Sequence, residues 1–582
     1  MNTKPFLLTV LIATILISCG QQKNESTDKE NSATVYYNGD IITMEGDSPQ
    51  YAEAVVEKEG KIAFVGASDE AMKVAGAGHK MVDLNGKTLL PGLIEPHLHP
   101  SLAAIMLQNE IIAPYDWKLP SGTKKGVQGE EAYRQRITES IKNNAQDDKM
   151  YFIWGYHQLW HGDLNRELLN TIAGDKPVGI IHRSFHEIFL NDAAIAKLGI
   201  KESDFEGNPQ VNWEKGHFFE GGWLALVPKM APILLEPTSY LKGLTTMSQL
   251  LLQNGITTIA EPGFPSSDFD GELQLLMKEM EKNPPYDVYL IPSGTQLYSM
   301  KGSNEEALAF IKSMDTVKAY NRSNVKFLPK QVKLFSDGAI YSQLMQMKDG
   351  YTDGHDGEWM TPLDLFEEQL MLYWNNDYKI HVHANGDLGQ QMVIDLVKKV
   401  KEKQPREDHR LTLHHMGYFD DIMAQEVADL GIEASVNPYY LWALADKYSE
   451  FGLGEKRAKN LVAIKSLTDR NIPVSFHSDF SMAPVEPLTL AWTAINRETS
   501  QGSKVSQDQK ISVFKALKAS TIDAARTLNL ENRIGSIKVN KVANFTILVE
   551  NPFEIDPIKI KDIKIDGVVY NGKYIKNSNK KL

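Results

Sequence analysis

Short apolar runs rich in β-formers recur from residue 88 to residue 477, with stretches of helical spacing between several of them. Eight such runs begin near Thr88-Leu89-Leu90, Ile256-Thr257-Thr258-Ile259, Asp287-Val288-Tyr289-Leu290-Ile291, Val332-Lys333-Leu334-Phe335, Ile380-His381-Val382-His383, Leu411-Thr412-Leu413-His414, Ile432-Glu433-Ala434-Ser435-Val436 and Val474-Ser475-Phe476-His477. The segments 390–403 and 420–430 carry the 3.6-residue spacing of amphipathic helices. Strand and helix alternating eight times predict an α/β fold, a (β/α)8 TIM-type barrel over residues 89–536. The interval between the first and second runs is too long for one helix and a loop. An insertion over 101–245 is therefore expected, with strands of its own at 151–156 and 178–183.

The ends of the chain have a different texture. Residues 34–43 alternate, 54–66 read as a hairpin around Gly60, and 543–549 and 563–573 return to strand-like patterning without intervening helices. These segments predict one small β-sandwich domain assembled from both termini, residues 34–88 and 537–582. Ahead of them, Lys4, an apolar stretch from Phe6 to Ile17 and the sequence Leu16-Ile17-Ser18-Cys19 resemble a bacterial lipoprotein signal. That reading makes 1–18 a cleaved leader, Cys19 the lipidated residue and 19–33 a flexible polar tether. An ordinary cleaved signal is the alternative, and either implies export. Gly20 after Cys19, where an aspartate would hold such a lipoprotein at the inner membrane, points to the outer membrane facing the periplasm.

Composition narrows the partners. The 582 residues are 42% hydrophobic and 24% charged, with a formal charge of -13. A net-acidic chain without a basic, aromatic-interleaved stretch is not a nucleic-acid binder. A small-molecule substrate, a membrane contact through the lipid anchor alone, and either a monomer or a homo-oligomer fit this composition. Cys19 is the one cysteine, so neither a disulfide nor a thiolate metal site is available.

The chemistry-bearing residues gather at strand ends. In Pro91-Gly92-Leu93-Ile94-Glu95-Pro96-His97-Leu98-His99, positions i and i+2 of an extended segment face one side, so His97 and His99 can present two imidazoles to one ion. His383, His415 and Asp479 fall at the ends of the fifth, sixth and eighth runs, where barrel enzymes keep their active sites. Histidines and a carboxylate on one rim suit one or two zinc-like ions. Lys333 lies inside an apolar run, where an ammonium is costly. It either reacts with carbon dioxide to give a carbamate, pairs with Asp337 or reaches solvent.

Together, His97/His99, Lys333, His383, His415 and Asp479, with Val332-Lys333-Leu334-Phe335-Ser336-Asp337-Gly338, His383-Ala384-Asn385-Gly386-Asp387 and Ala516–Ala525, resemble the amidohydrolase superfamily over about 34–574. In detail the chain resembles the branch that includes the N-substituted formamide deformylases and related exported hydrolases (amidohydrolase family 3). The resemblance implies that His97, His99 and Asp479 bind one Zn²⁺, that His383 and His415 bind a second, and that carboxylated Lys333 bridges them. It implies hydrolysis of a non-peptide carbon–nitrogen bond in an amide, N-acyl, N-formyl or cyclic amide compound, with Asp479 carrying the proton. Arg183-Ser184-Phe185-His186 resembles a family segment near the substrate, making Arg183 and His186 substrate-binding candidates and His186 a group able to polarise the carbonyl; a structural histidine is the alternative. Glu220 is a weaker candidate. The chain departs from the family at His414-His415, where Glu-His is usual, and at His477-Ser478-Asp479, where Gly-Ser-Asp is usual. Competing readings are a single-metal deaminase, indifferent to Lys333, and a lipid-anchored binding protein without catalysis.

Overall fold

The computed structural model describes residues 33–577 apart from 315 and 323; the leader, Cys19 and most of the tether lie outside the described residues. Two arcs of parallel strands form the centre. The first contains β1 (Leu93–Glu95), β2 (Ile256–Phe264) and β3 (Asp287–Pro292), extended beyond β3 by Val325–Phe327. The second contains β4 (Gln331–Phe335), β5 (Lys379–Ala384), β6 (Thr412–His415), β7 (Glu433–Val436) and β8 (Val474–Phe476). A Ser293–Lys333 bridge joins the arcs on one side. On the other, the N–H groups of Asp479 and His99 donate to the carbonyls of His97 and Phe480.

The period of two along these strands sorts the side chains. Val332, Leu334, Ile380, Val382, Leu413, Ala434, Val436, Val474 and Phe476 enter the main hydrophobic core. The intervening positions, Gln331, Lys333, His381, His383, His414, Ser435 and His477, are polar yet buried. Alternation in a strand covered on both faces puts the apolar set against the outer helices and the polar set against the interior. That interior is where the chemistry gathers.

Strand one differs from the sequence expectation. Thr88–Pro91 pairs antiparallel with Phe545–Leu548 and parallel with Asp40-Ile41, so it belongs to the terminal sheet, and β1 begins beyond Gly92. Both runs are apolar and β-rich, and periodicity does not name a strand's partner. The termini form one continuous eight-stranded sheet rather than two separately bonded layers. Its edge strand Lys61–Gly66 curls back, with Ile62 N–H donating to Lys541 O and Ala543 N–H to Gly60 O. The roll encloses Tyr36, Ile41, Val55, Leu89, Phe545 and Val569.

Between β1 and β2 stands a six-stranded sheet whose strands run in the order 211–212, 217–219, 187–190, 178–182, 151–156 and 110–111. Helices Pro100–Gln108 and Pro237–Gln253 lie on either side of it in sequence and pack on each other. The contact is close: a Cβ on Gly243 would meet the Ala104 carbonyl oxygen at 2.2 Å. This clamp brings the chain back from the inserted unit to the start of β2. Among the described residues, no helix is long and apolar enough to cross a membrane.

Candidate active site

His97, His99 and Asp479 converge at the C-terminal ends of β1 and β8. His97 Nε2 lies 3.2 Å from His99 Nε2 and 3.4 Å from Asp479 Oδ1, and His99 Nε2 lies 3.2 Å from the same oxygen. Ligands about 2.0–2.1 Å from a tetrahedral ion sit about 3.3 Å from one another, so three atoms at these spacings match one face of a tetrahedron. Asp479 Oδ1 is buried without a hydrogen-bond partner. The donor set therefore fits a zinc-type ion. A second trio, His97, His414 and His477, also lies close together. There His97 Nδ1 and His414 Nδ1 are 2.8 Å apart, too near for two ligands of one ion and right for a hydrogen bond.

The backbone holds this arrangement firmly. Asp479 has φ 55 and His415 φ 78, left-handed conformations uncommon for non-glycine residues and typical of functional positions. Buried Glu95 accepts the Ser478 N–H at 2.8 Å, tying the Asp479 loop to β1. Burial first, and the nearby Asp479 charge second, push the Glu95 carboxyl up to about 8. On the other side, Glu261 at the end of β2 accepts from His99 Nδ1 at 2.6 Å. Burial works against a charge on His99, but Glu261 and Asp479 outweigh it and raise the imidazole to about 10. That is the field of a site with excess negative charge, which a divalent cation satisfies better than a proton.

His383, His415 and Lys333 form the adjoining group. The His383 and His415 rings are 4.3 Å apart at the ends of β5 and β6. His415 Nδ1 lies 3.0 Å from the Tyr440 hydroxyl, whereas its Nε2 is buried with no protein partner. Lys333 is fully buried and its Nζ makes no hydrogen bond. Burial pushes its ammonium down to about 7, against the opposing pull of Asp479 and Glu261. The ion pair with Asp337 is not formed. Asp337 instead accepts from the N–H groups of Gln346, Asn385 and Gly386 and from Ser336 Oγ, which shapes the loop after His383.

The inserted unit supplies the opposite wall. His186 Nδ1 bonds Glu220 Oε2 at 2.6 Å, and both residues line the same cavity as His97, His99, His383, His415 and Asp479. Burial opposes a charge on His186, but Glu220 outweighs it and holds the imidazole above its ordinary value. The cavity measures about 160 Å³, and its apolar side is made by Leu102, Phe185, Trp223, Leu224, Val227 and Phe335. Three of these belong to helix Gly221–Leu234.

Arg183 does not line the cavity, contrary to the sequence expectation. Its guanidinium is buried, donates to Met482 O at 3.1 Å and sits 4.2 Å from the centre of the Tyr341 ring. Arg183 follows strand Val178–His182, and Phe185 (φ 58) then turns the chain so that His186, not Arg183, reaches the cavity. Glu261, Glu95, Tyr440 and Trp223 were not singled out as site residues by motif. For Glu95 and Glu261 a signal exists, an acid inside an otherwise apolar strand end.

Comparison with known proteins agrees with this geometry. The amidohydrolase family pattern matches residues 80–575. The chain is 25% identical to the amidohydrolase YtcJ of Bacillus subtilis (strain 168), covering 93% of this chain and 99% of that one. It is 22% identical to N-substituted formamide deformylase of Arthrobacter pascens, covering 89% and 94%. The crystal structure of an uncharacterized metal-dependent hydrolase from Pyrococcus horikoshii superposes with a TM-score of 0.69 at 20% identity, over 90% of this chain and 99% of that chain. The chain belongs to the amidohydrolase family and is a hydrolase of carbon–nitrogen bonds.

Proposed function

We propose that this protein hydrolyses an uncharged, small non-peptide amide, N-acyl, N-formyl or cyclic amide compound with an apolar substituent, using a zinc-type centre. The observation that carries the proposal is the triangle of His97 Nε2, His99 Nε2 and Asp479 Oδ1, with edges of 3.2, 3.4 and 3.2 Å. These residues would hold one ion; His383 and His415, with Lys333 as its carbamate, would serve a second. Such an ion, when bound, lowers the pKa of water toward ~7 and polarises a carbonyl. On this reading the two parallel arcs act as one (β/α)8 barrel, and the curled terminal sheet is its β-sandwich appendage.

The chain's own groups account for the rest. Asp479 takes the proton of the attacking water and returns it to the leaving nitrogen. His186, whose protonated form Glu220 favours, donates toward the carbonyl oxygen as negative charge develops there. The apolar wall from Trp223 to Val227 excludes bulk water and seats the substituent. Among the described residues lining the cavity there is no lysine or arginine, which favours a substrate without a carboxylate. Carbamate formation joins the neutral Lys333 amine to carbon dioxide with release of one proton, and the depressed basicity of Lys333 supports it. Export and anchoring through Cys19 belong to the same proposal and rest on the leader sequence.

Metal content and turnover of neutral N-substituted amides, measured together on purified protein, test this reading. About two ions per chain with hydrolysis of such amides is the expected result. One ion with deamination would move the assignment to a single-metal deaminase, and no bound ion would overturn the metal mechanism.

A further inference from the structure

Behind His97 runs a file of buried side chains that reaches from β1 across β6 and β5 to the base of β4. Gln331 Nε2 donates to Leu528 O at 3.0 Å, so the amide orientation is set and Oε1 is left as an acceptor. His381 Nε2 lies 2.8 Å from that oxygen, His381 Nδ1 lies 2.9 Å from His414 Nε2, and His414 Nδ1 lies 2.8 Å from His97 Nδ1. None of the four side chains is more than 2% exposed. Strand register explains the file. His381 stands beside Thr412, and His383 beside His414, so the polar interior positions of β5 and β6 interleave.

Each of these three contacts needs one proton between its atoms. Gln331 Oε1 is a pure acceptor, so His381 donates from Nε2 and must accept at Nδ1. His414 then donates from Nε2 and accepts at Nδ1. His97 donates from Nδ1, which leaves the Nε2 lone pair facing His99 and Asp479. A second proton on His381 or His414 would set two N–H groups against each other. The direction of the whole file is thus decided by an amide three side chains away from the ion. A metal-bound histidine ordinarily has its second nitrogen held by a carboxylate, a carbonyl or water. Here neutral imidazoles pass that role, from His414 through His381, to a glutamine.

We infer that Gln331, His381 and His414 form a one-way hydrogen-bond relay that fixes His97 as its Nδ1–H tautomer and so prepares Nε2 to bind the metal. These are positioning residues. The inference rests on the assignment of His97 as a ligand. Without the Gln331 acceptor the file can reverse, placing a proton on His97 Nε2 in competition with the ion.

Zinc affinity by competition with a chromophoric chelator tests it on the full chain, comparing Gln331→Met, which removes the acceptor, with Gln331→Glu, which keeps it. Expected is a loss of roughly 10-fold or more for Gln331→Met, within the range seen when such supporting contacts are removed, and near wild-type affinity for Gln331→Glu. A second pair, His414→Leu and His414→Gln, repeats the contrast one step from the ion and serves if a Gln331 variant does not fold. Melting of each variant in excess chelator checks folding independently of metal. Equal affinity across a pair, or equal loss in both members, overturns the relay. Failure of the wild type to take up zinc overturns the metal mechanism together with the relay, whereas uptake without the acceptor pattern overturns the relay alone.

Discussion

Among the described residues two histidine-rich clusters stand apart, and they differ in where their ring nitrogens point. At the ends of β1, β5, β6 and β8, His97 and His99 bring their Nε2 atoms to one carboxylate oxygen, and His383 and His415 face each other beside Lys333. In the inserted unit, His157, His161 and His182 are just as buried, but their nitrogens mostly serve local backbone. His157 Nδ1 accepts from Leu159 N–H, His161 Nδ1 accepts from His157 N–H, His161 Nε2 donates to Val127 O, and His182 Nδ1 accepts from Ser184 N–H. The Nε2 atoms of His157 and His182 have no hydrogen-bond partner; the buried Arg183 charge opposes a cation beside both, while Glu187, 3.7 Å from His182 Nδ1, works the other way at His182. A buried guanidinium repels a metal ion. What separates the clusters is therefore the direction of the lone pairs, not the number of histidines.

The strongest test of that contrast is Asp479→Asn against His157→Asn. On the proposed mechanism, removing the Asp479 charge takes away a ligand and the proton carrier together, and kcat/KM is expected to fall by ~10²–10⁴-fold or more, the range for lost acid–base function, with bound metal falling as well. His157→Asn is expected to leave metal content unchanged. Metal loss in both variants, measured by elemental analysis, would break the distinction.

Lys333→Ala comes next. Nζ has no hydrogen-bond partner, only the Phe335 ring 5.4 Å away, and burial lowers its basicity, so its contribution is expected through the carbamate that would join the two halves of the rim cluster. Metal content is expected to drop from about two ions to one or none, and kcat/KM by roughly 100-fold, the scale of losing one charge-stabilising group. Two ions retained at full activity would reduce Lys333 to a buried structural amine.

Much of the rim was legible in the sequence because ligands at strand ends carry local signals. His97-Leu98-His99 follows from the two-residue period, and His383, His415 and Asp479 each close an apolar run. Arg183 was misplaced because a three-residue interval to His186 does not reveal the turn at Phe185, whose φ of 58 sends the two side chains to different walls. Strand one was misassigned because Thr88–Pro91 and Leu93–Glu95 are both apolar, and only their partners, Phe545–Leu548 and β2, tell them apart. The His97–His414–His381–Gln331 file joins residues up to 317 positions apart in sequence, a distance over which no local pattern operates.

Glu220→Gln sharpens the comparison from the insertion side, where one histidine does face the reaction site. Above its pKa His186 would lose the proton it donates, so activity is expected to fall on the alkaline limb. Because Glu220 raises that pKa above the ordinary 6.5, the limb lies on the basic side of 6.5 in the wild type. Without the Glu220 carboxylate, burial is opposed only by the smaller pull of Asp479 and Glu187, so the limb of kcat/KM moves toward acid. The loss at pH 8 is expected to be about 10-fold, shrinking as pH falls, with metal content unchanged. A parallel loss at every pH would assign Glu220 to structure alone.

The smallest expected effect is that of His161→Asn. The His161 ring stacks on Tyr133 at 3.9 Å and bonds Val127 O and His157 N–H, so the change removes packing and local hydrogen bonds but no rim ligand. A stability loss of about 1–3 kcal/mol is expected, the scale of leaving buried polar groups unpaired, and it should appear in denaturant unfolding. Zinc affinity and kcat/KM are expected to stay at wild-type values, because the stack lies among Tyr133, Tyr156 and the other side chains of a core separate from the main one. If zinc affinity fell in step with stability, the two histidine clusters would be one cooperative unit, and the rim's geometry would depend on the inserted sheet.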